Sequence, residues 1–365
     1  MTTYLGNLGG TFSGDVASAT RIATSAPFAR YLAEQIFEQC AFVRSGILTQ
    51  DSRLNQFGPR FEAPFYQPIS SFEEKIESND TWGNDETGAA TNAGYFQTQK
   101  VTADTQYATH TRRGFMFGRD FISMLDIGED PLAHFSAQLV DDLARHRERK
   151  LISHFQGLFA TALAAHVNDV SVTTGAAEAN YMSASTITGA KNKLGERGGA
   201  LTTIAMHSAV ANYLSDIGML TFSTSALSAQ GAVVWGGGGV GISNTDVRTF
   251  AGMNVVVSDL LPIQGAAGEQ GQYVSYVFGP GAVMEGNQMP INIRIGENIP
   301  SLQELIRVWY ANCLHVPGTS WTSTDNPTNA DLSTGGNWSV VYTNPKLIPI
   351  VKVVCNTPYG ITIPV

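Results

Sequence analysis

Asp-Pro-Leu-Ala-His-Phe-Ser-Ala-Gln-Leu-Val-Asp-Asp-Leu, at residues 130–143, begins the segment that decides the fold. Asp130 can accept the free amide hydrogens of a first helical turn, and Pro131 suits the first helical position because its missing N–H costs nothing there. Apolar residues then follow at steps of three and four: Leu132, Phe135, Leu139, Leu143, Leu151, Phe155, Leu158 and Ala162. This spacing is typical of one face of an amphipathic helix. It predicts a long helix over residues 130–165, which Gly157 kinks or ends.

A charged run, Arg-His-Arg-Glu-Arg-Lys at residues 145–150, interrupts the apolar positions of this helix. The face opposite the apolar stripe is polar, and Asp141 can pair with Arg145 across one turn. We expect the charged run to lie on the outer face of the helix, toward solvent or another subunit. A long coiled coil is the competing interpretation, but only a few heptads fit and the rest of the chain is rich in strand patterns.

The chain before this helix divides into three parts. Residues 1–26 are rich in Gly, Thr and Ser and predict an extended arm that needs a neighbour to order it. Residues 27–43 predict an amphipathic helix. Residues 59–118 predict a projecting hairpin with a polar tip at residues 77–94, and prolines restrict its first strand to an edge. Because such a hairpin has little core of its own, we expect it to pack on something outside its own domain.

Strand and helix patterns alternate after the long helix. The predicted elements are a helix at 183–194, a strand at 201–206, a helix at 207–217 and strands at 250–259 and 273–278. This alternation predicts an α/β subdomain. From His315 onward the chain is rich in loop residues, and it ends in a strongly β-forming run at residues 347–355.

Composition narrows the class of protein. Charged residues make up 15% of the 365 residues, below the roughly 25% of ordinary soluble domains. A surface with so little charge suits a chain that buries its exterior against copies of itself, although stable secreted β proteins look similar. The net charge of −9 argues against a protein whose main function is to bind nucleic acid. We therefore interpret Arg112–Arg113 and residues 145–150 as solvated or intersubunit faces.

The cysteines and the N-terminal sequence indicate the cellular compartment in which the protein is made. Cys40, Cys313 and Cys355 are odd in number and far apart, which favours a reducing compartment without a disulfide framework. The first residues show no basic segment followed by an apolar core, and no run of about 18 apolar residues occurs in the sequence. We expect a protein made in a cytoplasm, without a membrane span.

A glycine-rich stretch at residues 236–241 formally satisfies the G-x-G-x-x-G pattern of dinucleotide-binding loops. Such a loop approaches a pyrophosphate only when the N-terminus of a helix follows at once. The sequence that follows does not open a helix, and a run of four glycines meets the pattern almost by accident. We therefore predict a flexible loop, without a cofactor.

The polar residues do not form a catalytic pattern in the sequence. Asp259 follows a predicted buried strand, where α/β enzymes often place an acid, but capping of the following turn is favoured because it has no partner histidine or metal cluster. His207 and Ser208 are adjacent, which does not give the geometry of a nucleophile and its base. His146 and His154 are too far apart on the helix for one metal ion. We predict no catalytic, cofactor-binding or metal-binding residue, and no enzyme.

The order of these parts, together with several local stretches, resembles the major capsid proteins of tailed double-stranded-DNA bacteriophages, which have the Hong Kong 97-type fold. The similar stretches are Leu-Ile-Ser-His-Phe-Gln-Gly-Leu-Phe-Ala (151–160), Ala-Met-His-Ser (205–208), Val-Val-Val-Ser-Asp-Leu-Leu-Pro (255–262), Tyr-Val-Phe-Gly-Pro-Gly-Ala (276–282), His-Val-Pro-Gly-Thr-Ser-Trp (315–321), Asn-Pro-Thr-Asn-Ala-Asp-Leu (326–332) and Asn-Trp-Ser-Val-Val (337–341). Their sequential order, over nearly the whole chain, makes the resemblance fairly specific.

The resemblance implies an α+β fold made of named parts. They are an N-terminal arm and helix (1–58), an extended hairpin loop (59–118), a peripheral subdomain (119–199) with a spine helix at 130–165, an axial subdomain (200–314) and a return to the peripheral subdomain (315–365). In this arrangement the hairpin would lie across a neighbouring subunit.

The resemblance further implies a structural protein of the virion capsid. It would self-assemble into hexamers and pentamers of an icosahedral head in the host bacterial cytoplasm. The implied partners are copies of itself, a portal protein, a separate scaffolding protein, an optional cement protein and packaged double-stranded DNA contacted non-specifically, with no membrane. An encapsulin-like compartment shell is the alternative, and an α/β enzyme with a glycine-rich cofactor loop is the third candidate.

In one branch of this family a hairpin lysine forms a covalent crosslink with an asparagine of a neighbouring subunit. Lys75 and Lys100 lie in the predicted hairpin, and Asn356 lies near the C-terminus. The acid that this chemistry requires has no clear counterpart in the sequence, so we do not expect the crosslink.

Overall fold

The computed structural model describes residues 45–56, 58–67, 101–120, 131–222, 248–298 and 303–363. The predicted N-terminal arm and first helix, the hairpin tip with Lys75 and Lys100, the residue Cys40 and the glycine-rich stretch 236–241 lie outside these residues.

The described elements alternate between strands and helices after a β-rich beginning. In chain order they are β1 (Leu48–Gln50), β2 (Arg60–Tyr66), β3 (Ala103–Asp120), α1 (Pro131–Ala160), β4 (Val167–Asp169), α2 (Ala184–Leu194), β5 (Thr203–Met206), α3 (Ser208–Asp216), β6 (Thr221–Phe222), β7 (Arg248–Phe250), β8 (Met253–Val257), β9 (Ile263–Gln264), β10 (Gln272–Phe278), β11 (Val283–Asn298), β12 (Gln303–His315), β13 (Thr319–Trp321), α4 (Asn329–Ser333), β14 (Trp338–Val340) and β15 (Ile350–Cys355).

The predicted long helix is confirmed as α1, a helix of 30 residues. Its apolar stripe is buried wherever the structure describes the side chains, from Leu139 and Leu143 to Leu151, Phe155 and Leu158. The helix ends earlier than predicted, because a short 3₁₀ turn begins at Ala164.

Gly157 does not end α1 but lies inside it. A Cβ atom at this position would meet the carbonyl oxygen of Leu332 and would lie 2.6 Å from the indole nitrogen of Trp338. The glycine is therefore required for close approach, since it lets α4 and β14 pack directly on the helix backbone.

One sheet has five strands in the order β1-β11-β12-β3-β2. The predicted hairpin is confirmed by the antiparallel pairing of β2 with β3, in which Arg60 pairs with Thr109 and Tyr66 with Ala103. The strand β2 lies at the edge of the sheet, as its prolines predict.

The strand β3 continues beyond the hairpin and pairs with β12, from His110 opposite Cys313 to Asp120 opposite Gln303. The hairpin was expected to pack on something outside its own domain, and β3 does find a partner beyond residues 59–118, in β12 of the same chain. The sequence-based division grouped β11 and β12 with residues 200–314, whereas their pairing joins them to the hairpin. The division into subdomains itself stays a prediction.

The second sheet follows the order β4-β15-β10-β5-β8-β7-β6, and β9 pairs with β10. The predicted α/β character is confirmed, because β5 and β8 are parallel and α3 follows β5 directly. The helix predicted at 183–194 is confirmed as α2, and Ser183 caps it by accepting a hydrogen bond from the backbone nitrogen of Thr186. The C-terminal β run becomes β15, which lies between β4 and β10.

The helix α1 joins the two sheets. In its first half, Leu139 and Leu143 pack against Ile306 and Val308 of the five-stranded sheet. In its second half, the ring of Phe155 lies 4.9 Å from the ring of Tyr276 in β10. One continuous helix therefore fixes the relative position of both sheets, because each sheet buries its apolar face against a different part of it.

Candidate assembly interface

The structure brings together His207, Ser208 and Asp259, three residues that the sequence analysis considered for catalysis. Asp259 Oδ1 accepts a hydrogen bond from the backbone nitrogen of Ser208 at 3.1 Å. The side chain of Ser208, and then its backbone N–H, hold the pKa of Asp259 below its ordinary value by hydrogen bonding. His207 Nδ1 lies 3.7 Å from the same carboxylate but accepts a hydrogen bond from the backbone nitrogen of Ala209. A nitrogen that accepts this bond cannot donate a proton to Asp259.

These three residues are consequently a helix cap rather than a catalytic group. Asp259 acts as a cap, but the predicted partner is wrong: it caps the N-terminus of α3 and not the turn that follows it in sequence. His207 caps the same helix, as the sequence indicates.

The two helix histidines have different environments. His146 is exposed, whereas His154 is buried, its Nδ1 lies 2.9 Å from the carbonyl oxygen of Lys150, and its ring packs against Trp338. Burial lowers the pKa of His154 to about 4, so this side chain is neutral near pH 7. Within the described ranges, no group of three or more His, Cys, Asp or Glu residues is placed to hold a metal ion.

Asn356 is occupied by contacts within the chain. Its side-chain amide donates to the carbonyl oxygens of Val172 and Gly271, and its side-chain oxygen accepts from the backbone nitrogen of Val172. The residue is also buried. Its amide is therefore not presented to a lysine of a neighbouring subunit.

A buried polar cluster connects α1 to the five-stranded sheet. Lys150 is only 3% exposed, and its ammonium group donates to Thr111 Oγ1 of β3 and Asn312 Oδ1 of β12. Desolvation lowers the pKa of Lys150 to about 7, and the nearby charge of Arg113 acts in the same direction. The expectation that residues 145–150 lie wholly on the outer face is thus wrong, because Lys150 faces the sheet.

Two further charges of the same run also point inward. Arg147 forms an ion pair with Glu285 of β11, which also accepts a hydrogen bond of 3.0 Å from Gln50 of β1. Glu148 accepts a hydrogen bond of 3.3 Å from Ser258, which follows β8. The charged middle of α1 therefore contacts both sheets, and only part of it faces solvent.

The sequence contained a signal for this burial. The positions Leu143, Arg147, Lys150 and His154 follow each other at steps of four, three and four residues, so they continue the apolar stripe through the charged run. Lys and Arg can occupy such a stripe when their long apolar stems pack inside and their charges find partners. Only Arg145, His146 and Arg149 of the run are exposed.

The other basic pair, on β3, is divided between two roles. Arg113 donates to Asn326 Oδ1 at 3.2 Å and to the carbonyl oxygen of Pro327, while the backbone nitrogen of Arg112 donates to the same Asn326 oxygen at 2.8 Å. The side chain of Arg112 is exposed. Arg113 is thus used to hold the loop before α4 against the hairpin, and Arg112 remains on the surface.

The hairpin presents apolar side chains to solvent. Tyr66 and Val101, near its tip, are 77% and 56% exposed, and Met116, far along β3, is 54% exposed. Because β2 is an edge strand, one side of its backbone has no strand partner within the described sheet. Exposed apolar groups on an open edge are typical of a surface that contacts another polypeptide.

The arrangement of sheets and helices defines a structural class, that of α+β proteins with the Hong Kong 97-type fold. The solved capsid of Ralstonia phage GP4 has this fold, with a TM-score of 0.53 and 9% identity over 86% of this chain and 90% of that chain.

The chain belongs to the Gp13-like family, described as major capsid protein 13-like, whose model matches residues 123–349. It is also 24% identical over 339 residues to the major capsid protein of Bacillus phage SPP1, a match that covers 89% of this chain and 94% of that relative. The family consists of structural capsid proteins, so the chain is a component of the viral capsid and not an enzyme. The encapsulin-like and enzyme alternatives are not favoured.

Among the described helices, none combines the length and the apolar character that crossing a membrane would require.

Proposed function

We propose that copies of this chain form hexamers and pentamers, which close an icosahedral phage head around double-stranded DNA. The observation that carries this proposal is the hairpin of β2 and β3, which combines an open edge strand with the exposed apolar residues Tyr66, Val101 and Met116. A solvent-exposed edge of this kind would promote uncontrolled association unless a defined neighbour covers it. The relationship to a Bacillus phage capsid protein supports a phage head.

In this proposal α1 is the spine of the subunit and carries force between capsomers. Residues 119–199 and 315–365 form the peripheral subdomain, and residues 200–314 the axial one. The pairing of β11 with β12, and of β12 with β3, supports moving residues 283–314 to the peripheral side. The exposed side of α1, with Arg145 and Arg149, faces other subunits or the genome.

The proposed partners follow from the task of enclosing a genome. Besides copies of itself, the chain would meet a portal protein at one vertex, a separate scaffolding protein, an optional cement protein and packaged DNA. The net charge of −9 fits a shell that contacts DNA weakly and without sequence preference. Assembly would take place in the cytoplasm of the host bacterium, and the finished protein would reside in the virion.

The test is to express the full chain alone and together with its scaffolding protein, separate the products by size exclusion, and image the void fraction by negative stain. We expect closed particles of uniform diameter built from six- and five-fold capsomers. A monomer or dimer that persists at high concentration, under crowding and with scaffold present would contradict the proposal.

The content of particles from infected cells separates a phage head from a storage compartment. Nuclease-protected double-stranded DNA is expected inside a phage head. Particles that instead hold a defined protein cargo and no DNA would favour the encapsulin-like alternative.

A further inference from the structure

One face of the five-stranded sheet carries a row of exposed arginines. Arg294 of β11 lies directly opposite Arg307 of β12, and Met116 of β3 continues this row. The neighbouring residues Ile293 and Ile306 pack against α1. Because side chains alternate between the two faces of a strand, the arginines lie on the face turned away from the helix. All three side chains of the row are exposed.

The cross-strand rows on either side of this one belong to the same face of the sheet. We define the arginine face as three adjacent cross-strand rows: Asn292, Trp309 and Gly114; Arg294, Arg307 and Met116; Gly296, Leu305 and Gly118. None of these nine residues is acidic. The guanidinium carbon of Arg294 lies 5.9 Å from the centre of the Trp309 ring, which helps to hold its charge over the sheet.

Two like charges placed directly opposite each other destabilise a sheet. The pair of Arg294 and Arg307 is compensated if carboxylates from outside cover it. The three glycines of the face add no side chains, so a peptide can approach the sheet closely there.

The chain itself already covers the other end of this face. The segment Ser52–Asn55 lies there, and Leu54 packs with Cys313 and Ala108. Gly286 allows this contact, because a Cβ atom at its position would collide with Leu54. This segment does not extend over Arg294 and Arg307 of the arginine face, since both side chains are exposed.

We propose that the start of the acidic stretch 73–86, at Glu73 and Glu74, docks on the arginine face of a second copy of this chain. This stretch carries six acidic residues and one lysine: Glu73, Glu74, Glu77, Asp80, Asp85, Glu86 and Lys75. It belongs to the hairpin connection between β2 and β3, so a neighbouring subunit can supply it from the side. The inference rests on the proposed function and assigns a specific contact within the shell.

Chain length excludes the subunit's own Glu73 and Glu74 as the partners. Arg307 pairs with Met116 of β3. Met116 lies thirteen positions after Ala103, so the two residues are about 43 Å apart along the strand. The hairpin strands end where Tyr66 pairs with Ala103. Glu74 lies eight positions beyond Tyr66 and reaches at most about 29 Å from that end. The two side chains together do not close the remaining gap, so these carboxylates meet the arginine face of another copy.

The test reverses the charges on each side of the contact. One full-length variant carries Arg294→Glu and Arg307→Glu, and the other carries Glu73→Lys and Glu74→Lys. The first change keeps two like charges opposite each other, so the repulsion within the sheet is preserved. A control variant, Lys193→Glu with Arg197→Glu, makes the same change in net charge at exposed positions outside the arginine face.

We expect each variant alone to raise the protein concentration needed for assembly by on the order of a hundredfold, because like charges then meet across the interface. The control should assemble like the unmodified chain, and circular dichroism should show all variants folded. Mixing the two defective variants should restore hexamers, since the two variants can alternate around a six-membered ring and each Glu-bearing face then meets a Lys-bearing stretch of the other copy. A chain that carries all four substitutions has complementary charges at every contact and should restore closed shells.

Normal assembly of the arginine variant, while the unmodified chain assembles, would overturn this inference and leave the proposed function intact. Hexamers that form from the chain with all four substitutions, and never from the mixture, would show a contact within a single copy and would also overturn it. Normal shells that fail to retain DNA would assign the arginine face to nucleic acid instead. Failure of the unmodified chain to assemble would refute the proposed function itself.

Discussion

Replacing Gly157 with alanine tests how the C-terminal part of the chain is attached to α1. The added methyl group would enter the space held by the carbonyl oxygen of Leu332 and by the indole of Trp338. These two groups are joined by a hydrogen bond of 2.8 Å from Trp338 Nε1 to the carbonyl oxygen of Leu332. The substitution therefore acts on packing and on a buried hydrogen bond together.

The expected magnitude is the balance of three effects. Alanine in an open helix interior is more stable than glycine by about 0.5–1 kcal/mol. Overpacking a well-filled site costs about 1–3 kcal/mol. Loss of the hydrogen bond from Trp338 would leave a buried donor and acceptor unpaired, at a further cost of about 1–3 kcal/mol. We expect Gly157→Ala to lower the free energy of unfolding by about 2–4 kcal/mol.

Urea unfolding of the unassembled subunit, followed by tryptophan fluorescence, measures this change. Trp338 and Trp321 lie with ring centres 4.9 Å apart, so the signal reports on the affected region. Gly199→Ala is the matched control, because nothing lies within 4 Å of a Cβ atom at that position. Its free energy of unfolding should stay within about 0.5 kcal/mol of the unmodified protein.

The outcome that refutes this reasoning is a Gly157→Ala subunit as stable as, or more stable than, the unmodified one. Helix propensity alone predicts that result. It would mean that α4 and β14 do not press on α1 as the structure shows.

Three further predictions concern buried side chains of the helix and its surroundings. Leu139→Asp should abolish particles in electron micrographs, because it places a charge among Ile306 and Val308; normal particle yield would show that the apolar stripe is assigned to the wrong face. Burial lowers the pKa of His315 to about 4. Between pH 6.5 and 4 the unfolded chain therefore binds more protons than the folded chain, so the free energy of unfolding falls as the pH drops through that window. In urea titrations His315→Gln should reduce this loss without abolishing it, because the pKa of His154 is also lowered to about 4; His146→Gln, at an exposed position, should leave the loss unchanged. Lys150, whose pKa is lowered to about 7, makes stability rise as the pH increases from 7 toward 10.5, and Lys150→Met should remove this rise; an unchanged slope would contradict the burial of the ammonium group.

Several elements were predictable because their signals are local. The apolar spacing that includes Leu139 and Leu143 indicated the buried face of α1, and the helix predicted at 183–194 is observed as α2. Pro64 identified β2 as an edge strand, since proline has no N–H for a second neighbour. Asp259 was correctly interpreted as a cap, but its partner, the N-terminus of α3, lies 51 positions away and could not be named.

The candidate interface was less predictable, because it depends on contacts between distant parts of the chain. The arginine face exists only because β11 and β12 set Arg294 opposite Arg307, and this register is set by tertiary packing. The pairing of β12 with β3 brings together Thr111 and Asn312, which are 201 positions apart.

The amino-acid order was enough to predict a long amphipathic helix and an edge hairpin, because periodicity and proline positions act within a few residues, and composition indicated a low-charge chain suited to self-association. Contacts between distant segments were needed to show that Lys150 points inward and that Gly157 serves close packing. A charged side chain in a helical stripe is compatible with either burial or exposure until its partners are known. The side-chain oxygen atoms of Thr111 and Asn312 are those partners. They belong to strands that lie 39 positions before and 162 positions after Lys150 in the sequence.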